Sequence, residues 1–245
     1  MKITATIITL NEERNVARAI ESLRCADEIL IVDSGSTDRT VELVEKLGVR
    51  VLEAGWLGYA AQKNWAAEHA THEWILSLDA DEALSEALEA EIWNLKKTGP
   101  DCDAYTMPRL ARYLGRWIYH SGWYPDRKVR LYHRDRAKWV GDFVHESVQA
   151  RGRVGRLQSN ILHFTCESLS EHVKTMDRYT TLAAQELAAR KVKVPLTRII
   201  ADPAWTFLKS YFLQRGFLDG PEGLTIAHMA AFYTFLKYSK ARNMS

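Results

Sequence analysis

The chain has 245 residues, of which 47% are hydrophobic and 26% are charged. This length and composition suit a globular protein with a sizeable core, and no run of apolar residues approaches the ~20 needed to span a bilayer. The three cysteines, Cys25, Cys102 and Cys166, lack metal-ligand spacing, and we expect them to be reduced structural thiols of a cytosolic protein.

The first hundred residues alternate between strand and helix patterns. Asn11 is expected to cap the first helix, and Ser36 or Thr37 the second. The alternation predicts an α/β fold with a mostly parallel sheet and helices on both faces. The predicted strands are 3–9, 28–32, 49–52 and 74–78, and the predicted helices are 11–23, 36–47, 58–69 and 85–97.

The rest of the chain changes character twice. Residues 101–164 are rich in Arg, Trp, Tyr and Gly, with short strand patterns at 104–107, 129–133 and 160–164. From residue 168 the pattern is helical, and helices are predicted at 168–191, 196–213 and 224–242. We therefore expect a main α/β domain over residues 1–165 and a helical C-terminal extension over 166–245.

Polar side chains stand at the ends of three predicted strands, namely Thr9, Asp33 and Asp79. Ligands of parallel sheets bind at the carboxyl ends of the strands, so these residues mark a candidate site. Asp79-Ala80-Asp81 is a DxD motif, whose carboxylates suit Mg²⁺ or Mn²⁺ bound to a nucleotide diphosphate. A polar turn that merely caps the next helix is the alternative for this motif.

The turn Asp33-Ser34-Gly35-Ser36-Thr37-Asp38 is a second candidate. Asp33 can accept a hydrogen bond from a uracil N–H, and Gly35 permits a tight turn. Helix capping by the same Ser, Thr and Asp residues is the alternative explanation.

Together, residues 6–12, 32–38 and 79–81 resemble, in order and spacing, the family 2 glycosyltransferases of the GT-A fold. The resemblance covers roughly residues 1–165. It implies that Thr9, Glu12 and Asp33, with Ser36, hold the nucleoside of a UDP-sugar donor, and that Asp81, with Asp79, holds the metal. Lys63 matches a position where a basic residue meets the donor, although a solvated helix lysine is an equal alternative.

Sugar transfer with inversion requires a base that takes the acceptor hydroxyl proton. The resemblance places an acidic residue in Gly141-Asp142-Phe143-Val144-His145-Glu146, and we expect Glu146 to be the base, with Asp142 and His145 as alternatives.

In some enzymes of this fold a histidine late in the chain completes the metal site, and the resemblance implies that His163 occupies this position. A core role for His163 is the alternative. The processive QxxRW signature is absent, which favours addition of a single sugar.

Looser motifs resemble the lipopolysaccharide-core β-1,4-glucosyltransferases. They are residues 122–126, 130–132, 144–146 and 216–220. The resemblance implies UDP-glucose as donor and a lipid-linked inner-core heptose as acceptor. An arginine-rich stretch would either bind phosphates of the lipopolysaccharide core or form a solvated basic face. Trp123 would either stack on a sugar ring or pack in the protein's hydrophobic core. The stretch comprises Arg109, Arg112, Arg116, Arg127, Lys128 and Arg130.

The C-terminal segment combines aromatic and basic residues. From Arg190 onward there are nine Lys and Arg residues against three Asp and Glu. This pattern favours contact with an anionic membrane surface from the cytoplasmic side, with internal packing or a dimer interface as alternatives. No other feature calls for nucleic acid.

Two other classes of function are less favoured. A sugar-phosphate nucleotidyltransferase would carry a glycine-rich loop with a catalytic Arg or Lys after the first strand, and a dinucleotide oxidoreductase would carry GxGxxG there. Neither loop is present. A non-catalytic nucleotide or glycan binder would not need both the DxD motif and Glu146.

Overall fold

The computed structural model describes residues 1–141 and 146–244. Within it the chain forms two compact units. The first comprises Met1–Arg109 and Asp126–His163, and the second comprises Leu110–Pro125 and Phe164–Ser245. The division at residue 165 suggested by the sequence stays a prediction, and Leu110–Pro125 groups here with the C-terminal helices.

Four parallel strands in the order β3-β2-β1-β4 form the N-terminal part of the first unit. Their register places Thr9 beside Asp33, and Ile8 beside Asp79. The strands are β1 (Ile3–Thr9), β2 (Glu28–Asp33), β3 (Arg50–Glu53) and β4 (Trp74–Asp79), with helices α1 (Val16–Glu21), α2 (Thr40–Lys46), α3 (Tyr59–Glu68) and α4 (Glu86–Thr98).

Helices cover both faces of this sheet, as predicted. Ile3 and Ile7 of β1 pack in one core with residues of α1 and α4, such as Ile20 and Leu88. Leu30 and Val32 of β2 pack on the other face against Ala66 of α3. Burial on both faces explains why these strands are almost continuously apolar rather than alternating.

The sheet continues beyond β4 with antiparallel pairs, so it is mixed overall. Its order is β3-β2-β1-β4-β8-β6-β12-β5, with β7 and β11 paired to β6 and a separate β9–β10 hairpin. The additional strands are β5 (Glu82–Leu84), β6 (Ala104–Tyr113), β7 (Arg116–Ile118), β8 (Asp126–His133), β9 (Ala137–Val140), β10 (Ser147–Ala150), β11 (Val154–Arg156) and β12 (Ile161–Cys166).

Two predicted helix starts in the first unit are wrong. Asn11 lies at φ 58° and begins a run of turns, so the first helix starts only at Val16. The second starts at Thr40 rather than near Ser36, because the Asp38 carboxylate accepts from the Thr40 N–H at 2.9 Å. In both places polar side chains have satisfied the backbone N–H groups outside a helix.

Three long helices dominate the second unit: α5 (Leu169–Ala189), α6 (Leu196–Leu208) and α7 (Gly220–Asn243). The predicted helix 196–213 instead changes at Lys209 into one π-turn, and a short 3₁₀ helix occupies Gly216–Asp219. The last helix starts four residues earlier than predicted, with a proline in its first turn, where a missing N–H costs nothing. Among the described residues, no helix combines the length and apolar character needed to cross a bilayer.

Candidate active site

Asp33 sits at the end of β2 with its carboxylate saturated by hydrogen bonds. Its Oδ1 accepts from Thr9 Oγ1 at 2.8 Å and from Ser36 Oγ at 2.6 Å. Its Oδ2 accepts from the N–H groups of Gly35 at 2.9 Å and Ser36 at 2.7 Å. A carboxylate offers about four acceptor positions, so Asp33 shapes the turn with all of them. A direct hydrogen bond from uracil to Asp33 would require the hydroxyl of Thr9 or of Ser36 to rotate away from the carboxylate.

The loops after β1 and β2 are joined by their side chains. The Asn11 N–H donates to Ser36 Oγ at 2.8 Å, and the Thr37 N–H donates to Asn11 Oδ1 at 2.8 Å. The Glu12 N–H donates to Thr40 Oγ1 at 2.8 Å. These bonds fix Glu12 at the edge of the sheet, beside the predicted nucleoside pocket.

The first aspartate of the DxD motif lies between two cations. Asp79 Oδ1 is 2.7 Å from Lys63 Nζ, and Asp79 Oδ2 accepts from Arg130 Nη2 at 2.6 Å. Burial alone would raise the pKa of Asp79, but Arg130 and Lys63 hold it well below its usual range. Lys63 is only 2% exposed, so it is not the solvated helix lysine that was the alternative.

The second aspartate of the motif faces a histidine instead. Asp81 Oδ2 lies 3.2 Å from His163 Nε2, and both side chains are partly exposed. The antiparallel pairing of β5 with β12 brings them together, because it places His163 opposite Glu82. Burial and the negative charge of Asp81 raise the pKa of nearby Glu12. Asp81 and His163 thus bring together a carboxylate oxygen and an imidazole nitrogen, two ligand types that suit a divalent cation.

Glu146 belongs to the same cluster of charges. Its Oε1 is 3.2 Å from Lys63 Nζ, so Lys63 connects the DxD motif with the predicted base. The ammonium also lies 4.3 Å from the ring centroid of Trp139 on β9. Asp142 and His145, the alternative bases, lie outside the described residues.

A buried ion-pair network lies behind Asp79, and the sequence reasoning did not find it. Arg130, 3% exposed, also donates to Glu82 Oε1 at 2.8 Å, and Glu82 is completely buried. Arg109 Nη1 reaches the same carboxylate oxygen at 3.2 Å and pairs with Asp126 at 2.7 Å. The sequence feature that could have indicated the network is Arg130, which lies inside the apolar run Val129–Tyr132. A charged residue in such a run is buried, and a buried charge needs an ion-pair partner.

Two members of the predicted arginine-rich stretch, Arg109 and Arg130, belong to this network, while phosphate binding by the remaining members stays a prediction. Arg130 and Arg109 serve internal carboxylates, and Lys128 lies 3.1 Å from Asp126. Arg127 donates to the Leu157 carbonyl at 3.0 Å. In the second unit Trp123 packs edge-on against Tyr113 at 5.5 Å, which is the core role rather than an open stacking platform.

A different group of potential ligands lies at the other end of β4. Glu73, His133 and Asp135 form the one cluster of three possible metal ligands found within residues 1–141 and 146–244. His133 pairs with Trp74, the first residue of β4, whereas Asp79 is the last. This exposed cluster is therefore separate from the candidate site.

Comparison with known proteins decides the family. Residues 4–151 match the sequence profile of Glycosyl transferase family 2. The chain belongs to this family. The motif resemblance is thus confirmed, as is the expected GT-A type of fold. The matched residues 4–151 include every described candidate site residue except His163.

Two relatives of this family 2 chain match it over nearly its whole length. It is 31% identical over 247 residues to the lipopolysaccharide core biosynthesis glycosyltransferase LpsC of Rhizobium meliloti, covering 98% of this chain and 92% of the relative. It is 32% identical to an uncharacterized glycosyltransferase of Rickettsia typhi, covering 100% and 88%.

Solved structures share the fold at low identity. The mannosyltransferase PcManGT of Pyrobaculum calidifontis, solved with GDP-mannose and Mn²⁺, gives a TM-score of 0.55 at 16% identity, covering 98% of this chain and 86% of that one. S. aureus TarS 1-349, solved with UDP-GlcNAc, gives 0.50 at 16%, covering 100% and 90%.

Proposed function

We propose that this glycosyltransferase transfers a single glucose from UDP-glucose, with inversion, to an inner-core saccharide of lipopolysaccharide. The observation that carries the proposal is the Lys63 bridge, which ties the DxD motif to Glu146 through ion pairs of 2.7 and 3.2 Å. The groups that we assign to donor binding and to proton transfer would thereby act within one cluster. The LpsC relative, named for lipopolysaccharide core biosynthesis, supports the acceptor class, and the UDP-GlcNAc bound by TarS is consistent with a UDP-sugar donor.

In this mechanism the acceptor hydroxyl attacks the anomeric carbon from the face opposite the diphosphate. The new glycosidic bond forms as the bond to UDP breaks, and the electron pair leaves with the diphosphate. Glu146 takes the hydroxyl proton. Thr9, Glu12, Asp33 and Ser36 line the proposed nucleoside pocket.

We propose Asp81 and His163 as the protein ligands of a Mg²⁺ or Mn²⁺ ion. When bound, the ion would neutralise charge on the diphosphate. Asp79 is the weaker candidate ligand, because both of its oxygens already contact Lys63 and Arg130. Its role in our proposal is to hold these two cations beside the donor. The PcManGT complex with Mn²⁺ is consistent with a metal in this fold.

A donor screen tests the proposal directly. The purified protein is incubated with UDP-, GDP-, ADP- and CMP-sugars, with Mn²⁺, Mg²⁺ or chelator, with and without a heptose-containing core oligosaccharide. We expect slow hydrolysis of UDP-glucose alone, faster transfer when the oligosaccharide is present, and loss of both in chelator. Preference for another nucleotide would overturn the donor assignment. UDP binding without any turnover would instead indicate a non-catalytic binder, and formation of a sugar nucleotide would indicate a nucleotidyltransferase.

We also propose that the second unit binds the cytoplasmic face of an anionic membrane, where a lipid-linked acceptor is available. Five large apolar residues on α6 and the following turn expose 53% to 68% of their surface: Leu196, Ile200, Trp205, Phe212 and Leu213. The excess of nine basic over three acidic residues from Arg190 onward complements anionic lipid. Aromatic and basic residues on one helical segment are typical of interfacial binding.

Sedimentation with lipid vesicles tests this membrane proposal. We expect the protein to pellet with phosphatidylglycerol vesicles and much less with phosphatidylcholine vesicles. Trp205→Ser combined with Phe212→Ser should abolish pelleting. Trp93→Ser, at an exposed tryptophan of the first unit, is the matched control and should change nothing. If the double variant instead changes the oligomeric state while vesicle binding is absent throughout, the surface is a protein interface.

A further inference from the structure

The second unit contains a histidine–aspartate pair that the mechanism above does not use. His120 Nδ1 lies 3.0 Å from Asp219 Oδ1, and the Asp219 side chain is 3% exposed while that of His120 is 31% exposed. Asp219 also accepts from the backbone N–H groups of Tyr119 at 3.2 Å and His120 at 2.9 Å. One buried carboxylate therefore fixes both the backbone and the ring of a single short segment.

Tight packing surrounds this carboxylate. A Cβ atom on Gly223 would lie 1.9 Å from the Gly216 carbonyl oxygen, so the 3₁₀ helix that carries Asp219 sits directly on α7. The segment after His120 is also held in an unfavourable backbone region. Ser121 has φ 60° and Arg215 has φ 55°, and the Ser121 N–H donates to the Gln214 carbonyl at 2.9 Å. Such local strain persists only where the surrounding structure enforces it, and it concentrates at binding sites.

The pair determines which nitrogen of His120 is available. Because the Asp219 carboxylate can only accept, Nδ1 is the ring nitrogen that donates to it, which leaves Nε2 as the position open to a ligand. Within residues 1–141 and 146–244, Nε2 has no hydrogen-bond partner. Next to it in the chain, Tyr119 exposes 49% of its surface and its ring is held edge-on to Tyr124 at 5.6 Å. The segment thus offers an exposed aromatic ring and an oriented polar nitrogen side by side.

We propose that Tyr119 and His120 form a saccharide-binding site for the acceptor glycan, with Asp219 as its positioning residue. This rests on the proposed function for the identity of the glycan. The C–H face of a pyranose packs on an aromatic ring, and a sugar hydroxyl donates to the imidazole nitrogen. A neutral ligand fits better than a phosphate, because the Asp219 carboxylate cancels the charge that a protonated His120 would offer.

Two substitutions at His120 separate ligand binding from structural support. His120→Asn places an amide nitrogen near the position of Nδ1, so it keeps the bond to Asp219 and removes Nε2. His120→Gln places its amide near Nε2 and gives up the bond to Asp219. We expect His120→Asn to weaken oligosaccharide binding about tenfold with an unchanged thermal midpoint, since one ligand hydrogen bond is lost. His120→Gln should bind the oligosaccharide within about threefold of wild type but melt at a lower temperature.

Binding is measured by titrating the full-length protein with a lipid-free, heptose-containing core oligosaccharide, followed by NMR. Tyr119→Phe should bind normally and Tyr119→Ala should not. Donor hydrolysis in water, measured separately, should be the same in all four variants. Normal binding by His120→Asn and Tyr119→Ala would overturn the site while leaving the proposed transfer intact. Absence of UDP-glucose hydrolysis in the wild type would overturn the proposed function, and the titration would still decide the site.

Discussion

Two carboxylates at opposite ends of the parallel strands β1 to β4, Glu28 and Asp81, are used in opposite ways. At the amino end Glu28 accepts four hydrogen bonds, from Thr4 Oγ1 at 2.7 Å, from the Thr71 N–H and Oγ1 at 2.8 Å each, and from Arg50 Nη1 at 2.8 Å. These partners lie on or next to β1, β3 and β4. Burial raises the pKa of Glu28, but these hydrogen bonds outweigh it and bring the pKa down to about 2.

At the carboxyl end the carboxylates crowd one another. Glu12 has a raised pKa because of burial and the nearby charge of Asp81, and Asp81 has only His163 within ion-pair distance among the described residues. Glu28 thus spends its acceptor positions on the protein, whereas Asp81 has acceptor positions that no described residue fills. In our proposal this unused acceptor capacity, rather than acidity itself, is what makes Asp81 available to a metal ion.

The largest effect should come from Asp81→Asn. Loss of the carboxylate that we propose as a metal ligand should lower transfer by about 10⁴-fold, since a bound ion would supply several kcal/mol to the transition state. Asp81→Asn also removes the electrostatic repulsion between Asp81 and Glu12. The melting temperature should therefore stay the same or rise. Steady-state kinetics and thermal melts check both. Asp135→Asn, in the exposed cluster at the other end of β4, is the control and should remain active. Equal loss in both variants would contradict the assignment of the metal site.

Glu146→Gln should have the next largest effect. It keeps the shape of the side chain and removes its basicity, so kcat should fall by about 10²-fold, at the low end of typical proton-transfer contributions. The affinity for UDP, measured by calorimetry, should stay within about threefold. Asp142→Asn and His145→Asn are made in parallel. If Asp142→Asn loses kcat while Glu146→Gln turns over normally, Asp142 rather than Glu146 is the base. If all three variants keep full activity, this segment does not contain the catalytic base.

Glu28→Gln should affect stability and leave catalysis alone. Breaking its network should lower the free energy of unfolding by about 1–3 kcal/mol at pH 7, with kcat unchanged. The folded pKa of about 2 lies below the ordinary value of 4.5, so the contribution of ionised Glu28 is complete above pH 4.5 and disappears as the pH falls towards 2.

Urea unfolding of wild type and Glu28→Gln at pH 7 and at pH 3 checks this. The difference in unfolding free energy between the two proteins should shrink at the lower pH. Glu42→Gln, on the exposed face of α2, is the matched control and should differ little from wild type at either pH. A constant difference across the range would mean that the charge of Glu28 contributes nothing.

The sequence predicted the parallel half of the fold because local patterns determine it. Apolar runs ending in Thr9, Asp33 and Asp79 give both the strands and the edge where their side chains meet. It did not predict the partners of buried charges, because pairing depends on strands far apart in the chain. Arg130 pairs with Glu82, which lies 48 residues away in the chain, and no local sequence pattern at either residue indicates that contact.

The second unit illustrates the same limit more strongly. Asp219 contacts His120 across 99 residues of chain. The sequence identified the turn that contains Asp219 but gave it no role, since a turn pattern says only that the chain reverses. The helix starts predicted at Asn11 and Ser36 were wrong for a related reason. Their side chains bond to each other's loop, which is a tertiary effect that a local capping rule does not include.

The bridge formed by Lys63 also limits how this chain can change over generations. Removing one member of a buried charge pair typically costs about 3–5 kcal/mol, because the remaining charge is left without a partner. Lys63 serves two anions, and Asp79 has a second cation in Arg130, whereas Glu146 has no other ion pair among the described residues. A descendant that replaced this lysine would therefore need a compensating change before β10 at the same time. Such double steps are rare, so we expect mutational drift to alter the exposed helices long before it alters Lys63 and Glu146.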